Sequence, residues 1–231
     1  MRVIACNAPY GKGGIGQHFA QLVEESRDCG LLDRYYAPGL KTGDDKGRRL
    51  EKRRWHDWVV QYTPVRFSPG WRSFLYNEFF DRQVVRRLAP PLDRFMGFVG
   101  TSLRSFRQAR ELGAERLELV AANSHVRNVR RLHEWARKRH GMGDSWLNGA
   151  QRRKTLREYE VADTIYVHSD YTRQSFLDAG IPEDKLERTY LRVAPRFQPP
   201  DRRPDDGTFR IVYVGRVEGT KGIPLLLEAF S

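Results

Sequence analysis

The sequence has few cysteines and no long apolar run. Of its 231 residues only two are cysteines, Cys6 and Cys29, too few for a disulfide scaffold or a four-ligand zinc site. No stretch approaches the roughly 18 apolar residues that a membrane-spanning helix needs. We therefore expect two reduced core thiols in a cytoplasmic protein without a transmembrane helix.

Internal repeats and low-complexity segments are also absent. Hydrophobic residues make up 39% and aromatic residues 12% of the chain, which excludes a disordered or collagen-like protein. The length allows one large domain, or one domain and part of a second, at roughly 100–200 residues per domain.

Acidic residues are in deficit. There are 29 against 41 Lys and Arg, giving a net charge of +12, and the whole excess lies before residue 201. Such a surplus favours anionic partners, namely nucleic acid, acidic lipid head groups or phosphorylated substrates. The alternative is a solvated, arginine-rich surface.

Short apolar segments alternate with segments of helical periodicity. This alternation predicts a Rossmann-like α/β fold with a parallel sheet covered by helices on both faces. Residues 40–70 give no clear pattern. The predicted strands are Arg2–Asn7, Phe95–Val99, Leu117–Ala122, Thr164–His168 and a short one within Lys185–Val193. The predicted helices are Gln17–Cys29, Ser73–Leu88, Ser102–Leu112, Val126–His140, Ala150–Ala162 and Tyr171–Ala179.

The composition changes near residue 194. Residues 194–207 include four prolines and predict a linker, so residues 1–193 form the first domain. Residues 208–231 predict the start of a second α/β domain, with a strand at Phe209–Val214 and a helix from Ile223 to Phe230. One strand and two helical turns cannot bury their own apolar faces, so we expect this second domain to be truncated.

A glycine loop, Pro9–Gly16, separates the first predicted strand from the first helix. Its position favours an anion at the helix N-terminus, where free N–H groups and the helix dipole attract negative charge. Gly11, Gly13 and Gly16 match the dinucleotide-binding spacing, but the acid expected about 20 residues further on is not clear. The alternative is a tight turn without a ligand.

Three further residues are candidates for chemistry. His125 follows a buried strand, where parallel sheets bind ligands, and could instead be a capping or packing histidine. Arg216 and Lys221 lie in the loop after the strand at Phe209–Val214, between Gly215 and Gly222, which suits a diphosphate. The alternative interpretation is that Arg216 and Lys221 are solvated loop cations without a ligand. No ligand spacing predicts a metal site, and no Ser/His/Asp arrangement is present.

Two segments resemble family 4 glycosyltransferases. Residues 209–230, with a strand, Gly215-Arg216, a loop, Lys221-Gly222 and a helix, resemble the opening of that family's donor domain. Residues 158–180 resemble the end of its first domain. The glycine pair Gly13-Gly14 and His125 also match family positions. The resemblance covers the whole chain, with residues 35–90 its least diagnostic part, and it implies the GT-B fold of two facing Rossmann-like domains.

The resemblance implies sugar transfer from a nucleotide sugar of the UDP or GDP type, with retained configuration and without a metal or a cofactor. His125 contacts the transferred sugar, and Arg216 and Lys221 stabilise the leaving diphosphate. The implied donor-binding residues are Gly13, Gly14, Gly215, Arg216 and Lys221. The family's Glu-x7-Glu acid pair is absent, so we expect this chain alone not to turn over. Residues 190–195 depart from the Asn-Gly-Val-Asp of relatives.

Family members bind the acceptor in the first domain. Lys46–Tyr62 and Arg82–Arg87 combine Arg and Lys with apolar residues, so we expect a glycan or lipid-linked acceptor and peripheral contact with the anionic inner membrane face. A solvated basic face is the alternative.

Two other functions stay open. A nucleic-acid binder would use the +12 charge, but no helix-turn-helix, RRM or zinc-finger pattern is present, and we expect no nucleic-acid partner. A nicotinamide-dependent sugar-nucleotide oxidoreductase would use Gly11, Gly13 and Gly16, but the Tyr-x-x-x-Lys pair of such enzymes is missing.

Overall fold

The computed structural model describes residues 1–51, 54–141, 145–193, 197–198, 207–215 and 221–230. The strands are β1 (Arg2–Ala5), β2 (Leu32–Ala37), β3 (Gly47–Arg49), β4 (Arg94–Phe98), β5 (Arg116–Ala121), β6 (Thr164–Val167) and β7 (Leu186–Arg188). The helices are α1 (Gly13–Asp28), α2 (Arg54–Tyr62), α3 (Pro69–Val85), α4 (Leu103–Glu111), α5 (Val126–His140), α6 (Gly149–Val161), α7 (Asp170–Leu177) and α8 (Ile223–Glu228). Short 3₁₀ helices lie at Pro64–Phe67 and Glu183–Lys185.

The seven strands form one parallel sheet in the order β3-β2-β1-β4-β5-β6-β7. The strand order reverses between β1 and β4, because the chain leaves β1 towards β2 and leaves β4 towards β5. The carboxyl ends of β1 and β4 therefore frame the crevice in which open α/β sheets bind ligands. The predicted Rossmann-like parallel sheet is confirmed.

Alternating side chains of the strands build a core on each face of the sheet. On one face, Ile4, Met96 and Val120 pack with Phe19 of α1. On the other, residues such as Phe95 and Leu117 form a larger core with one aromatic residue from each of four helices: Phe80, Phe106, Tyr159 and Phe176. Helices thus cover both faces, as the alternation of the sequence predicts.

Three elements have no counterpart in the sequence prediction. Asp33 and Arg34 interrupt the apolar run of β2, and β3 is a polar edge strand of three residues. The helix α2 lies within the stretch that gave no clear pattern.

Cys6 is a buried thiol as expected, whereas Cys29 is exposed, so that half of the thiol prediction is wrong. Cys29 follows α1 directly, where the helix has left the core.

The C-terminal segment differs from its prediction in one element. Helix α8 forms as expected, but residues 208–214 form no strand, and Phe209 and Val214 are 89% and 90% exposed. A strand needs a partner strand for its backbone N–H and C=O groups, and the seven-stranded sheet of the described residues does not include this segment. Most of the predicted linker lies outside the described residues, and the division into domains stays a prediction.

Candidate functional site

The crevice between β1 and β4 is bordered by the glycine loop after β1 and by residues 99–102 after β4. Gly11 and Gly13 have φ values of +69° and +65°, which residues with a side chain rarely adopt. The loop folds back on the helix it precedes, because the Gly11 N–H donates to the carbonyl oxygen of Gly16 at 2.9 Å. A Cβ at Gly16 would lie 2.2 Å from the carbonyl oxygen of Pro9. These three glycines are therefore required by the fold of the loop itself.

Gly14 has a different status. Its φ is ordinary for a helix, and a Cβ there would meet no atom within 4 Å. It is exposed in the first turn of α1, which carries no acidic residue and no side-chain cap from Lys12. Gly13, Gly14 and Ile15 are exposed, and the first N–H groups of a helix have no partner within it, so the end of α1 can accept an anion.

Tyr10 braces the glycine loop against α1. Its hydroxyl donates to the carboxylate of Glu24, and Lys41 binds the same carboxylate oxygen at 3.1 Å. Its ring packs against Phe19 and Tyr35 at centroid distances of 5.9 and 5.8 Å. Burial raises the pKa of Tyr10, and Glu24 raises it further, so the phenol remains a hydrogen-bond donor. The loop is thereby held in one conformation before any ligand binds.

The start of α4, on the other side of the crevice, is closed by the protein's own carboxylates. Glu158 accepts hydrogen bonds from the N–H groups of Gly100, Ser102 and Leu103 at 2.5, 2.8 and 3.1 Å. Asp81 accepts from the next two N–H groups along the helix, at 3.0 and 2.9 Å. Both carboxylates are fully buried, so this helix end offers nothing to an external anion.

Lys154 balances these buried charges. Its ammonium lies 2.7 Å from Glu78 and 2.9 Å from Asp81. Burial lowers the pKa of Lys154, but Asp81, Glu158 and Glu78 outweigh that effect and raise it overall. Burial raises the pKa of Glu158 to about 7, with Lys154 and two backbone N–H groups acting against the rise. The cluster joins α3, α4 and α6 behind the crevice.

His125 is the N-cap of α5. Its Nδ1 accepts the N–H of Arg127 at 3.3 Å, and its ring packs against Tyr159 and Phe176 at centroid distances of 4.9 and 5.2 Å. The side chain is 2% exposed, and burial together with Arg127 lowers its pKa to about 4. These contacts are those of a capping and packing histidine; a contact with a sugar stays a prediction.

The other predicted site residues lie in the C-terminal segment. Gly215 is exposed, and Lys221 is exposed just before α8. Arg216 lies outside the described residues. The structure thus brings Gly13 and Gly14 together at one helix end and sets His125 in a separate buried contact.

A pair of histidines near the crevice was not predicted. The rings of His18 and His168 are in edge-to-face contact at a centroid distance of 4.3 Å, and His18 also packs on Phe98, the last residue of β4. Burial lowers the pKa of His18 to about 4, with His168 adding to the shift. The spacing of Gly14 and His18, one helical turn, was the only local signal for this residue, and nothing local points to His168.

A chain of three amides at the crevice was also missed. Asn7, which follows β1, donates to Asn77 of α3 at 2.8 Å, and Asn77 donates to Gln151 of α6 at 2.9 Å. We call Asn7, Asn77 and Gln151 the amide chain. Its members are 70 and 74 residues apart along the chain, so no local pattern could have shown the contact.

Two kinds of feature are not found among the described residues. No group of three or more His, Cys, Asp or Glu side chains is placed to hold a metal ion. No helix in this part of the chain combines the length and the apolar character that crossing a bilayer requires.

Comparison with known proteins gives no family. No protein-family profile matches the chain, and no curated protein is significantly similar to it in sequence.

Proposed function

We propose that this chain is the acceptor-side part of a retaining glycosyltransferase that moves a sugar from a nucleotide sugar to a glycan or a lipid-linked acceptor. The observation that carries the proposal is the open N-terminus of α1 beside the strand-order reversal. The neighbouring end of α4 is filled by Glu158 and Asp81, so one helix end of the pair is left for an anion.

The chemistry of sugar transfer needs what this helix end provides. A nucleoside diphosphate leaves with negative charge, and its departure is favoured by fixed donors and dipoles in a site that excludes water. In this proposal the N–H groups of Gly13 and Gly14 face the phosphates, and Arg216 and Lys221 add the cations. Gly215 allows the backbone to approach closely.

We assign His125 a contact with the sugar, and its tautomer supports this assignment. Because Nδ1 accepts the N–H of Arg127, the proton of the neutral ring resides on Nε2. In the proposal Nε2–H donates a hydrogen bond to a sugar hydroxyl close to the anomeric carbon. A lowered pKa suits this part, because the ring stays neutral and does not repel a developing oxocarbenium ion.

The oxidoreductase alternative has weaker support. The geometry of Gly11, Gly13 and Gly16 fits the dinucleotide fingerprint. The carboxylate that binds the ribose belongs at the end of the second strand, and β2 ends at Ala37 followed by Pro38.

The experiment uses the protein expressed with any residues that follow Ser231 in its reading frame. UDP-, GDP-, ADP- and dTDP-sugars carrying a radiolabel are incubated with neutral glycans and with a lipid extract. The proposal expects label transfer with retained anomeric configuration. Gly14→Val, which fills the open helix end, is expected to lower transfer by about 100-fold while the unfolding temperature is unchanged. Gly149→Val is the matched control, because Gly149 also lies in an uncrowded first helical turn. No transfer from any donor, or equal activity of the two variants, contradicts the proposal.

A specific observation favours an anionic membrane surface as a second partner. The segment from α2 to the start of α3 exposes four aromatic side chains, Trp58, Tyr62, Phe67 and Trp71, and the guanidinium of Arg66 lies over the ring of Phe67. Exposed aromatic residues among cations are typical of proteins that lie in the membrane interface. Of the two segments predicted for this role, Lys46–Tyr62 contributes Trp58 and Tyr62. In Arg82–Arg87, Val84 is buried in the core.

Vesicle co-sedimentation tests the membrane partner. We expect binding to vesicles with 30% phosphatidylserine at low salt, with loss at about 0.5 M salt because exposed charges are then screened. Phe67→Ser combined with Trp71→Ser should weaken binding about tenfold, whereas Tyr171→Ser, equally exposed on α7, should not. Absence of binding at low salt contradicts this partner.

A further inference from the structure

The hydrogen bonds of the amide chain all run in one direction, and a backbone carbonyl group fixes that direction. Gln151 donates through Nε2 to the carbonyl oxygen of Gly100 at 3.1 Å, and a carbonyl can only accept. The other end of this amide, Oε1, must therefore face Asn77, which has to present its NH₂ group. Asn77 then offers Oδ1 to Asn7, so Asn7 has to present its own NH₂ group inward. No member can flip without placing two donors or two acceptors against each other.

This direction fixes what Asn7 shows to solvent. Gln151 is 1% exposed and anchored, Asn77 is partly buried, and Asn7 is exposed at the carboxyl end of β1. One N–H of its amide is used by Asn77, so Oδ1 and the second N–H of this exposed residue stay available for a ligand. The residue thus offers one acceptor and one donor on a single amide group, whose orientation is held by Asn77.

An acceptor beside a donor suits a hydroxyl group. A hydroxyl both donates and accepts, whereas an anion cannot use Oδ1 and a cation cannot use the N–H. The backbone N–H groups after β4 that could attract an anion are already bound to Glu158 and Asp81. The crevice therefore has an anion-binding end at α1 and a neutral, hydroxyl-binding end at Asn7.

We propose that Asn7, oriented by Asn77 and Gln151, binds a hydroxyl group of an uncharged, hydroxyl-rich ligand in the crevice between β1 and β4. The inference rests on the proposed glycosyltransferase function, and within it the ligand is an uncharged part of the acceptor glycan. Asn7 is the binding residue, and Asn77 is a positioning residue that acts through it.

The test measures ligand affinity of the 231-residue chain by saturation-transfer NMR. The probes are neutral gluco-, galacto- and manno-oligosaccharides of two to four sugars, with inorganic pyrophosphate as the anionic probe. We expect Asn7→Asp, Asn7→Ala and Asn77→Ala each to weaken binding of the neutral probe by about tenfold. The double variant Asn7→Ala/Asn77→Ala should lose no more than either single change, because the second residue acts only through the first. Pyrophosphate affinity should be unchanged in the alanine variants.

Asn123→Ala is the matched control, since Asn123 is an exposed asparagine after β5. A purely structural role of Asn77 would give additive losses and would alter pyrophosphate binding as well. The inference is overturned if no neutral probe binds, or if the Asn7 variants bind it as the unchanged chain does. If the neutral probe binds through Asn7 but the enzyme transfers no sugar, only the proposed function is refuted. If sugar is transferred equally well by the Asn7 variants, only this inference is refuted.

Discussion

Gly16 lies so close to Pro9 that a Cβ on it would sit 2.2 Å from the Pro9 carbonyl oxygen. Two residues earlier, Gly14 has open space where its Cβ would be. The two glycines therefore differ in whether the packing of the protein leaves room for a side chain. Gly16 is required by the fold, whereas none of the described residues would be displaced by a side chain at Gly14.

The first prediction concerns stability. Gly16→Ala should lower the free energy of unfolding by about 2–4 kcal/mol, because backbone atoms must move to admit the methyl group. Gly14→Ala should leave it unchanged or raise it by up to about 1 kcal/mol, because alanine is the better helix former. Urea unfolding of both variants measures the difference. Equal stability of the two would show that the loop does not pack against α1 as described.

The second prediction concerns the closed end of α4. Glu158→Gln keeps the shape of the side chain, but even with its oxygen towards Ser102 and Leu103 it sets an amide NH₂ against the N–H of Gly100. It also leaves Lys154 with less compensating charge. We expect a loss of about 3 kcal/mol of stability, as for other broken buried charge networks.

Glu160→Gln is the control for that change, because Glu160 is exposed on the same helix two residues further on. Glu160→Gln should change the free energy of unfolding by no more than about 0.5 kcal/mol. A Glu158→Gln variant as stable as Glu160→Gln would mean that the buried carboxylate is not needed to hold α4.

The third prediction concerns pH. Burial lowers the pKa of His18 and of His125 to about 4, below the ordinary value of 6.5. Between these two pH values the unfolded chain binds more protons than the folded one, so stability is full above pH 6.5 and falls as the pH drops towards 4. Each histidine accounts for up to about 3 kcal/mol of that loss.

Urea unfolding at several pH values tests this sign and its origin. In His18→Gln, which cannot titrate, the fall in stability between pH 6.5 and pH 4 should be smaller by up to about 3 kcal/mol than in the unchanged protein. An identical pH dependence in the two proteins would mean that His18 is not held neutral by its buried contact with His168.

Local patterns of the sequence suffice for much of the fold. Apolar runs such as residues 117–122 predict the central strands. The glycine loop predicts a helix after β1, but α1 begins at Gly13, four residues before the predicted start at Gln17. β2 and β3 are not predicted by such patterns, because polar residues interrupt their apolar runs. Their place in the sheet depends on the pairing of β2 with β1 and of β3 with β2. The predicted strand at Phe209–Val214 shows the reverse case, in which a suitable apolar run does not join the sheet and forms no strand.

The candidate site is predictable only where it is continuous in sequence. Gly13 and Gly14 are adjacent, and their place at the start of a helix that follows a strand predicts a role in binding an anion. Asn77 and Glu158 act through partners more than 50 residues away, and such contacts exist only once the fold brings them together. His125 follows β5 as the N-cap of α5, and its burial under Tyr159 and Phe176 depends on two later helices that no local pattern shows.

The most direct test of the account is an NMR titration of the ¹⁵N-labelled chain with a nucleotide sugar, chosen from the donor screen, and with pyrophosphate. We predict that the amide signals of Gly13, Gly14 and Ile15 at the open end of α1 shift as ligand is added. The signals of Ser102 and Leu103, whose N–H groups are bound to Glu158, should stay in place. Shifts confined to the α4 end, or no shift at either end, would contradict the claim that α1 binds the donor phosphates.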